Sequence, residues 1–426
     1  MQAGLRDICS PIEDEEEFTS CLKTQHNWAA DKIRLEAIEN LVEGATLEKL
    51  LCRDDSIPEI KTAILIDGNN IYGEPIFRPF RGGLSVPDLM NELMKTPPLH
   101  PHSVKWLKAP FLVSYIVNLS SWAVVALLGS APESLFRVLG TLVNNYIRSI
   151  TSLSVSFSTE GPANFTMEFS FPLRVWRTDS SLRIDGRGKT AGGQSLRSSR
   201  DVTFLRHLSD CHHEDGTRDA IYASHISCAV TGLDQYRWTG ILFAEDWFET
   251  PGDDPAPDTI ERYDNDLMDG LACDPLARGR VDASRSGWYP RSYFLSILDI
   301  RLLQAHDEWL ALLFRLETKI KEAHSLLQDL DDFEDAVVDT EELLRECEQA
   351  LEETLKSLKS FMATDVHYFF GNTPEPTGAD ACFAHLSQIR NTCNALHRFH
   401  RKSRALQTDC RSILKAGEAM SKKVRG

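Results

Sequence analysis

The sequence predicts an α+β domain with a mixed or antiparallel sheet and packed helices, followed by an all-α domain of long, coiled-coil-like helices. Three observations support this fold class. Alternating apolar and polar residues recur in paired runs between 152 and 248, which is the pattern of neighbouring strands. From 293 onward apolar residues recur at threes and fours, which is the pattern of helices. A stretch rich in Pro, Gly and Asp separates the two patterns.

Composition divides the chain into four regions. Residues 1–60 carry fourteen acids against six bases and are predicted to be an acidic arm with one amphipathic helix from Asp31 to Leu51. The α+β domain is expected at 61–250. An acidic Pro- and Gly-rich connector at 251–290 marks the predicted domain boundary, and the helical domain with its basic tail occupies 291–426.

The apolar stretch from Phe111 to Gly129 is long enough to be a membrane-spanning helix. However, Asn118, Ser120 and Ser121 interrupt it, and the apolar run beyond them keeps helical spacing past the width of a bilayer. A buried strand, a serine cap and a helix over 121–150 are therefore the favoured interpretation, and a transmembrane helix is the alternative.

Two further strand pairs are expected in the α+β domain. SLSVSFST and NFTMEFSFPLRVW flank the four-residue loop EGPA, and AIYASHISCAVTGL and YRWTGILFAEDWF flank Asp234 and Gln235. Between the pairs, residues 178–200 are rich in Gly, Ser and Arg and predict an exposed basic loop. Near the start of the domain, Asp67–Asn70 is read as a tight structural turn after a short strand.

Three long helices, partly antiparallel, are predicted in the C-terminal half. The second of them carries an a/d seam at Leu344, Leu351, Leu355, Leu358 and Met362. Such a seam favours packing against another helix of this chain or of a partner.

Charge is divided unevenly along the predicted helices. Residues 322–353 hold thirteen acids and one base, whereas residues 390–426 hold ten bases and two acids. We expect the basic tail to lie along the acidic helix of its own chain, because a tethered partner has a high effective concentration. The alternative is that both stretches are solvated helix faces.

The densest set of possible metal ligands lies at 207–215, and its strongest candidates are His207, Asp210, His212 and His213. Neighbouring ligands cannot easily converge on one ion, so an exposed polar loop is favoured over a zinc site. The motifs GxSxG, HExxH, GxGxxG and GxxxxGK[ST] are absent from the sequence. We therefore assign no catalytic residue and no cofactor-binding residue.

The net charge indicates which kinds of partner to expect, and the cysteines indicate the cellular compartment. The net charge is −17, so no nucleic-acid partner is expected. Ten scattered cysteines without a CxxC pair, and an acidic N-terminus unlike a secretory or mitochondrial signal, predict a cytoplasmic protein with reduced thiols. No stable membrane insertion is expected.

Several short segments together resemble a family of uncharacterised proteins of filamentous ascomycete fungi. The similarity spans about 110–370. The segments are SRDVTFL at 199–205, ISCAVTG at 226–232, YRW at 236–238, DPL at 274–276, PRSYFL at 290–295, IRL at 300–302 and EW at 308–309. Some such proteins end in a long-helix region similar to that of CorA-type magnesium transporters. This chain lacks the Gly-Met-Asn signature and paired C-terminal apolar spans.

The resemblance implies a lineage-restricted accessory protein, encoded in a variable gene cluster, that affects hyphal surface or colony and biofilm morphology. Together with the a/d seam, it favours a non-enzymatic interaction or scaffold protein that binds a protein partner or itself through the C-terminal helices. Two alternatives stay open. One is a metal-dependent or small-molecule-binding enzyme on the α+β domain, and the other is a degenerate CorA-like soluble domain.

Overall fold

The computed structural model contains one mixed sheet with helices on both faces. It describes residues 36–71, 74–77, 83–95, 110–158, 164–187, 195–208, 216–235, 237–249, 259–271, 273–283, 289–325, 331–370 and 376–425. The predicted fold class, a mixed sheet with packed helices followed by long C-terminal helices, is confirmed.

The sheet has the order β2-β1-β3-β8-β7-β5-β4, and β6 pairs with β7 outside this path. Its strands are β1 Ala63–Ile71, β2 Glu74–Phe77, β3 Pro110–Val117, β4 Ser152–Phe157, β5 Phe165–Asp179, β6 Ser199–Asp201, β7 Arg218–Gly232 and β8 Trp238–Ala244. Strands β3 and β8 are parallel, and the other described pairs are antiparallel. Both predicted strand pairs, β4 with β5 and β7 with β8, are confirmed.

Shorter helices precede or cover the sheet. They are α1 Leu47–Leu51, α2 Val86–Lys95, α3 Ser121–Ser130, α4 Glu133–Ile147 and α5 Thr259–Met268. The strand, serine cap and helix expected at 111–129 are confirmed, because the Ser120 hydroxyl accepts a hydrogen bond from the Ala123 N–H at 3.2 Å. The single helix predicted over 121–150 is wrong, since the chain breaks at Ala131 and Pro132 before α4 begins.

None of the described helices combines the length and the apolar composition that crossing a membrane requires. The apolar composition of helix α3 fits its position inside the protein, because the six consecutive residues from Ala123 to Leu128 are all buried. The apolar run is thus accounted for by packing against neighbouring elements of the fold.

Three long helices cover the other face of the sheet: α6 Pro290–Ser325, α7 Asp331–Ala363 and α8 Pro376–Arg425. Helix α8 runs parallel to α6 and antiparallel to α7, as their contacts show. Two short 3-10 helices are also present, Thr203–Leu208 and Asp365–Phe370. Residues of the sheet and of all three long helices share one hydrophobic core. The predicted boundary at 251–290 therefore marks a change in secondary structure and does not separate two cores.

Two local predictions differ from the structure. The helix expected over 31–51 is described only as helical segments at 36–41 and in α1, separated at Gly44, whose φ is +82°. The turn expected at Asp67–Asn70 is wrong, since these residues lie within β1 and pair with β3 and β2. Backbone pairing with two neighbours overrides the turn preference of Asp, Gly and Asn.

Candidate functional site

The metal-ligand hypothesis lies mostly outside the described residues. The backbone of His207 belongs to the 3-10 helix Thr203–Leu208, but its side chain is outside the described part, as are Asp210, His212 and His213. Within the described ranges no group of three or more His, Cys, Asp or Glu residues is arranged to hold a metal ion. The metal site stays a prediction that these ranges do not test.

A buried charged cluster lies between α4 and the sheet. Its carboxylates belong to Asp185 and Glu245, and its guanidinium groups belong to Arg187 and Arg197. The side chain of Glu245 is 0% exposed and that of Arg197 is 1% exposed. The loop predicted to be exposed and basic at 178–200 is therefore buried at these residues, because carboxylates from the same loop and from the end of β8 compensate its arginines.

The hydrogen bonds of the buried charged cluster join three parts of the fold. Arg197 donates from Nε to Glu245 at 3.1 Å and from Nη2 to the Tyr146 carbonyl of α4 at 2.7 Å. Arg187 donates to Glu245 at 3.1 Å and to the Tyr146 hydroxyl at 2.7 Å. The backbone N–H of His225, in β7, donates to Glu245 at 2.8 Å. Glu245 therefore fastens the 178–200 loop to both the sheet and α4.

Burial and neighbouring charges set the protonation states in this cluster. Burial alone would raise the pKa of Glu245, but the positive charges of Arg197 and Arg187 outweigh it and lower that pKa to about 2. The ring of His225 is fully buried, and burial together with Arg197 lowers its pKa to about 3. At neutral pH the carboxylate is charged and the imidazole is neutral.

These states decide what the buried charged cluster can do chemically. A general acid or base works best when its pKa lies near the working pH, and neither Glu245 nor His225 meets that condition. The two arginines and the two carboxylates also balance in charge, which leaves no excess charge to attract an ionic ligand. The cluster is therefore best explained as a structural anchor.

A second buried polar group lies on the opposite face, where the chain enters the long helices. Asp274 accepts a hydrogen bond from the Leu276 N–H at 2.9 Å, and burial raises the pKa of its carboxyl group to about 6. Arg301 of α6 donates to the carbonyls of Leu276 at 2.8 Å and Pro275 at 2.7 Å. These bonds fix the end of the predicted connector against α6.

The basic tail docks on the acidic helix, as expected from the charges. Arg411 of α8 pairs with Glu341 of α7 at 2.6 Å, and Arg404 of α8 pairs with Glu348 of α7. Pairs at the protein surface each contribute only about 0–1 kcal/mol, so they mainly set the register of the two helices. The intramolecular docking prediction is confirmed for these contacts.

Two pairs of aromatic side chains lie at the surface where the edge strand β4 approaches the long helices. We call Phe157, Tyr368, Phe370 and Phe383 the aromatic surface. The ring centroids of Phe157 and Tyr368 are 5.1 Å apart, and those of Phe370 and Phe383 are 4.8 Å apart. Phe157, Phe370 and Phe383 are 58%, 45% and 58% exposed. The guanidinium carbon of Arg291 lies 4.0 Å from the Tyr368 ring centroid.

The sequence did not reveal the aromatic surface, because its members come from three separate elements: β4, the 3-10 helix Asp365–Phe370 and α8. Phe383 also lies three residues before Leu386 and six before Ile389, a spacing typical of a buried helix face, so its exposure is not evident from the sequence. No protein-family model matches the chain, and no curated protein matches it.

Proposed function

We propose that the protein is a non-enzymatic interaction protein whose contact site is the aromatic surface. The observation that carries the proposal is the presence of two aromatic pairs at the surface, Phe157 with Tyr368 and Phe370 with Phe383, which are linked by the 3-10 helix Asp365–Phe370. Contiguous exposed apolar side chains are typical of interaction sites. Aromatic residues and arginine also supply most of the strongly contributing residues in protein interfaces.

The a/d seam does not itself offer a contact site, because its own chain uses it. Leu344, Leu351, Leu355 and Leu358 are buried in the shared core. The C-terminal helical region instead contributes to binding through Phe383 of α8 and the adjoining 3-10 helix.

We favour an apolar segment of another protein as the occupant, with an acidic residue placed to meet Arg291. In the part of the chain that the structure describes, no carboxylate pairs with Arg291, so its charge is free to contribute to recognition. A symmetric contact between two copies would bring both Arg291 side chains into one interface, where like charges repel. This local charge favours a different protein over a second copy.

Site-specific photo-crosslinking of the full chain in cells tests the proposal. A photoreactive phenylalanine at position 383 is expected to give one discrete crosslinked protein, and the crosslink should disappear when Phe157→Ser and Phe370→Ser are added. The matched control places the same group at Met268, which is 84% exposed and lies on α5. Absence of a discrete product at 383, a product equally strong at 268, or a crosslink only to a second copy would overturn the proposal.

A second candidate is the CorA-like soluble domain that the resemblance implies. The observation that favours it is the layer of three long helices, of 36, 33 and 50 residues, against one face of a mixed sheet. Leu310 and Phe314, one turn apart on α6, are exposed and could serve self-assembly of this layer. Light scattering that shows a homo-oligomer, and a monomer for Leu310→Ser with Phe314→Ser, would support this candidate over the first.

The wider role follows from the fungal resemblance and remains part of the proposal. We place the protein in the cytoplasm of a filamentous fungus, as an accessory factor in hyphal surface or colony morphology. The described cysteines support a reducing compartment because they are free thiols. Deleting the gene and scoring colony form, with rescue by the intact chain but not by the Phe383→Ser variant, tests this role.

A further inference from the structure

The carboxylate of Asp365, at the start of the 3-10 helix Asp365–Phe370, binds the outer edge of β4. This strand is the last in the sheet order, so the backbone groups on its outer side face no other described strand. The Val155 N–H points to that side and donates to Oδ2 of Asp365 at 3.0 Å. The Thr364 hydroxyl donates to Oδ1 of Asp365 at 2.7 Å. Both carboxylate oxygens are therefore engaged, which fixes the orientation of the side chain.

This hydrogen bond and the contact between Phe157 and Tyr368 join the same two elements with matching spacing. Asp365 and Tyr368 are three residues apart, which spans about 6 Å along a 3-10 helix and places them on one side of it. Val155 and Phe157 are two residues apart, which spans about 7 Å along a strand. The 3-10 helix is thus attached to the end of β4 at two points, by the hydrogen bond and by a ring contact of 5.1 Å between centroids.

The other side of the 3-10 helix is held by the hydrophobic core. Its side chains Val366 and Phe369 are buried. The ring centroid of Phe369 lies 5.8 Å from that of Phe361 in α7 and 6.2 Å from that of Phe294 in α6. These contacts anchor the helix in the fold independently of Asp365. Replacing Asp365 should therefore change how the helix meets β4 without unfolding the chain.

We propose that Asp365 is a positioning residue of the aromatic surface, holding Tyr368 against Phe157 in the arrangement that the protein partner recognises. This inference rests on the proposed function. Phe157 is 58% exposed, so packing restrains its ring only in part, and the hydrogen bond two residues earlier in β4 adds a further restraint. A surface that is already arranged avoids part of the free-energy cost of ordering its side chains on binding.

Two variants of the full chain test the role of this carboxylate. Asp365→Ala removes both hydrogen bonds, whereas Asp365→Asn keeps an oxygen that accepts from the Val155 N–H and is the rescue variant. The matched control is Asp54→Ala. Asp54 likewise accepts a bond from a backbone N–H, that of Ser56 at 2.8 Å, but it lies in the segment after α1.

The first readout needs no partner. A photoreactive phenylalanine at position 157 is expected to crosslink within the chain to the 3-10 helix, because the ring at this position lies beside Tyr368. Peptide mapping by mass spectrometry locates that crosslink. Asp365→Ala should lower its yield about fivefold and speed amide exchange at Val155, because a hydrogen bond to a charged group is lost. Asp365→Asn and Asp54→Ala should stay close to the wild type.

The second readout is the partner crosslink from a photoreactive phenylalanine at position 383 in cells. Asp365→Ala should lower its yield about fivefold, because a smaller fraction of the chain holds the binding arrangement. Asp365→Asn should restore most of the yield.

The outcomes separate this inference from the proposed function. A partner crosslink of equal strength in the wild type and in Asp365→Ala would overturn the inference and leave the proposed function intact. An internal crosslink from position 157 that is unchanged in Asp365→Ala, or partner losses as large in Asp54→Ala, would also overturn it. If the wild-type chain gives no discrete crosslink at 383, the proposed function fails and the inference fails with it.

Discussion

Changing Glu245, which is buried and paired with two arginines, should strongly destabilise the fold. Glu245→Gln keeps the size of the side chain but removes one of the two negative charges that balance Arg187 and Arg197. A pKa lowered from 4.5 to about 2 corresponds to about 3 kcal/mol of stability. Breaking one partner of a buried ion pair costs about 3–5 kcal/mol, which agrees with this figure. We therefore expect a loss of about 3 kcal/mol at pH 7.

The pH dependence gives this prediction a second readout. Because folding lowers the pKa of Glu245, its charged carboxylate stabilises the folded state above pH 4.5, and this stabilisation is lost as the pH falls toward 2. Urea unfolding followed by tryptophan fluorescence should thus show a gap between wild type and variant that is largest near neutral pH and shrinks in acid. The matched control, Glu346→Gln, removes an exposed glutamate and should change little.

A double-mutant cycle distinguishes loss of the ion pair from destabilisation of the variant by another cause. If the ion pair carries the effect, adding Glu245→Gln to Arg197→Met should cost much less than Glu245→Gln costs in the wild type. A loss below about 1 kcal/mol at pH 7, a gap that does not shrink in acid, or fully additive costs would refute the reasoning.

Three other predictions follow from the described contacts. Asp274→Asn should stabilise the chain above pH 6 and have little effect below pH 4. Burial raises the pKa of this carboxyl group to about 6, so its ionisation above that pH opposes folding. Thermal unfolding of both proteins between pH 4 and pH 7 measures the difference in stability. Arg411→Glu should speed amide exchange around Glu341 at low salt, and the effect should fade at high salt. Cys347 and Cys410, whose pKa burial raises to about 12, should resist a thiol reagent until urea unfolds the chain, as peptide mapping by mass spectrometry would show.

Local patterns predicted many of the elements correctly. Alternation predicted β4, β5, β7 and β8, and the polar break at Ser120 predicted the change from strand to helix. These signals are local because strand faces and helix caps depend on residues close in sequence. The split between α3 and α4 also had a local signal in Pro132, which the prediction of one continuous helix overlooked.

Features that depend on distant residues were not predictable in this way. Arg197 sits in a segment that looks exposed, and its burial follows from Glu245, which lies 48 residues away in sequence. The parallel pairing of β3 with β8 joins strands that are far apart in the chain. The aromatic surface likewise forms only after β4, a 3-10 helix and α8 are brought together. Pattern analysis identifies elements, but it does not state which elements become neighbours.

The central claim is that the aromatic surface binds a protein partner. The most direct measurement uses the partner that crosslinking identifies, purified separately without a crosslink. Its affinity is measured for the wild-type chain, for Phe383→Ser and for the control Leu267→Ser, which changes an exposed residue of α5. The account predicts at least about a tenfold weaker affinity for Phe383→Ser, because truncating an aromatic anchor costs about 2 kcal/mol or more. It predicts no change for Leu267→Ser. Equal affinity of Phe383→Ser and the wild type would contradict the account.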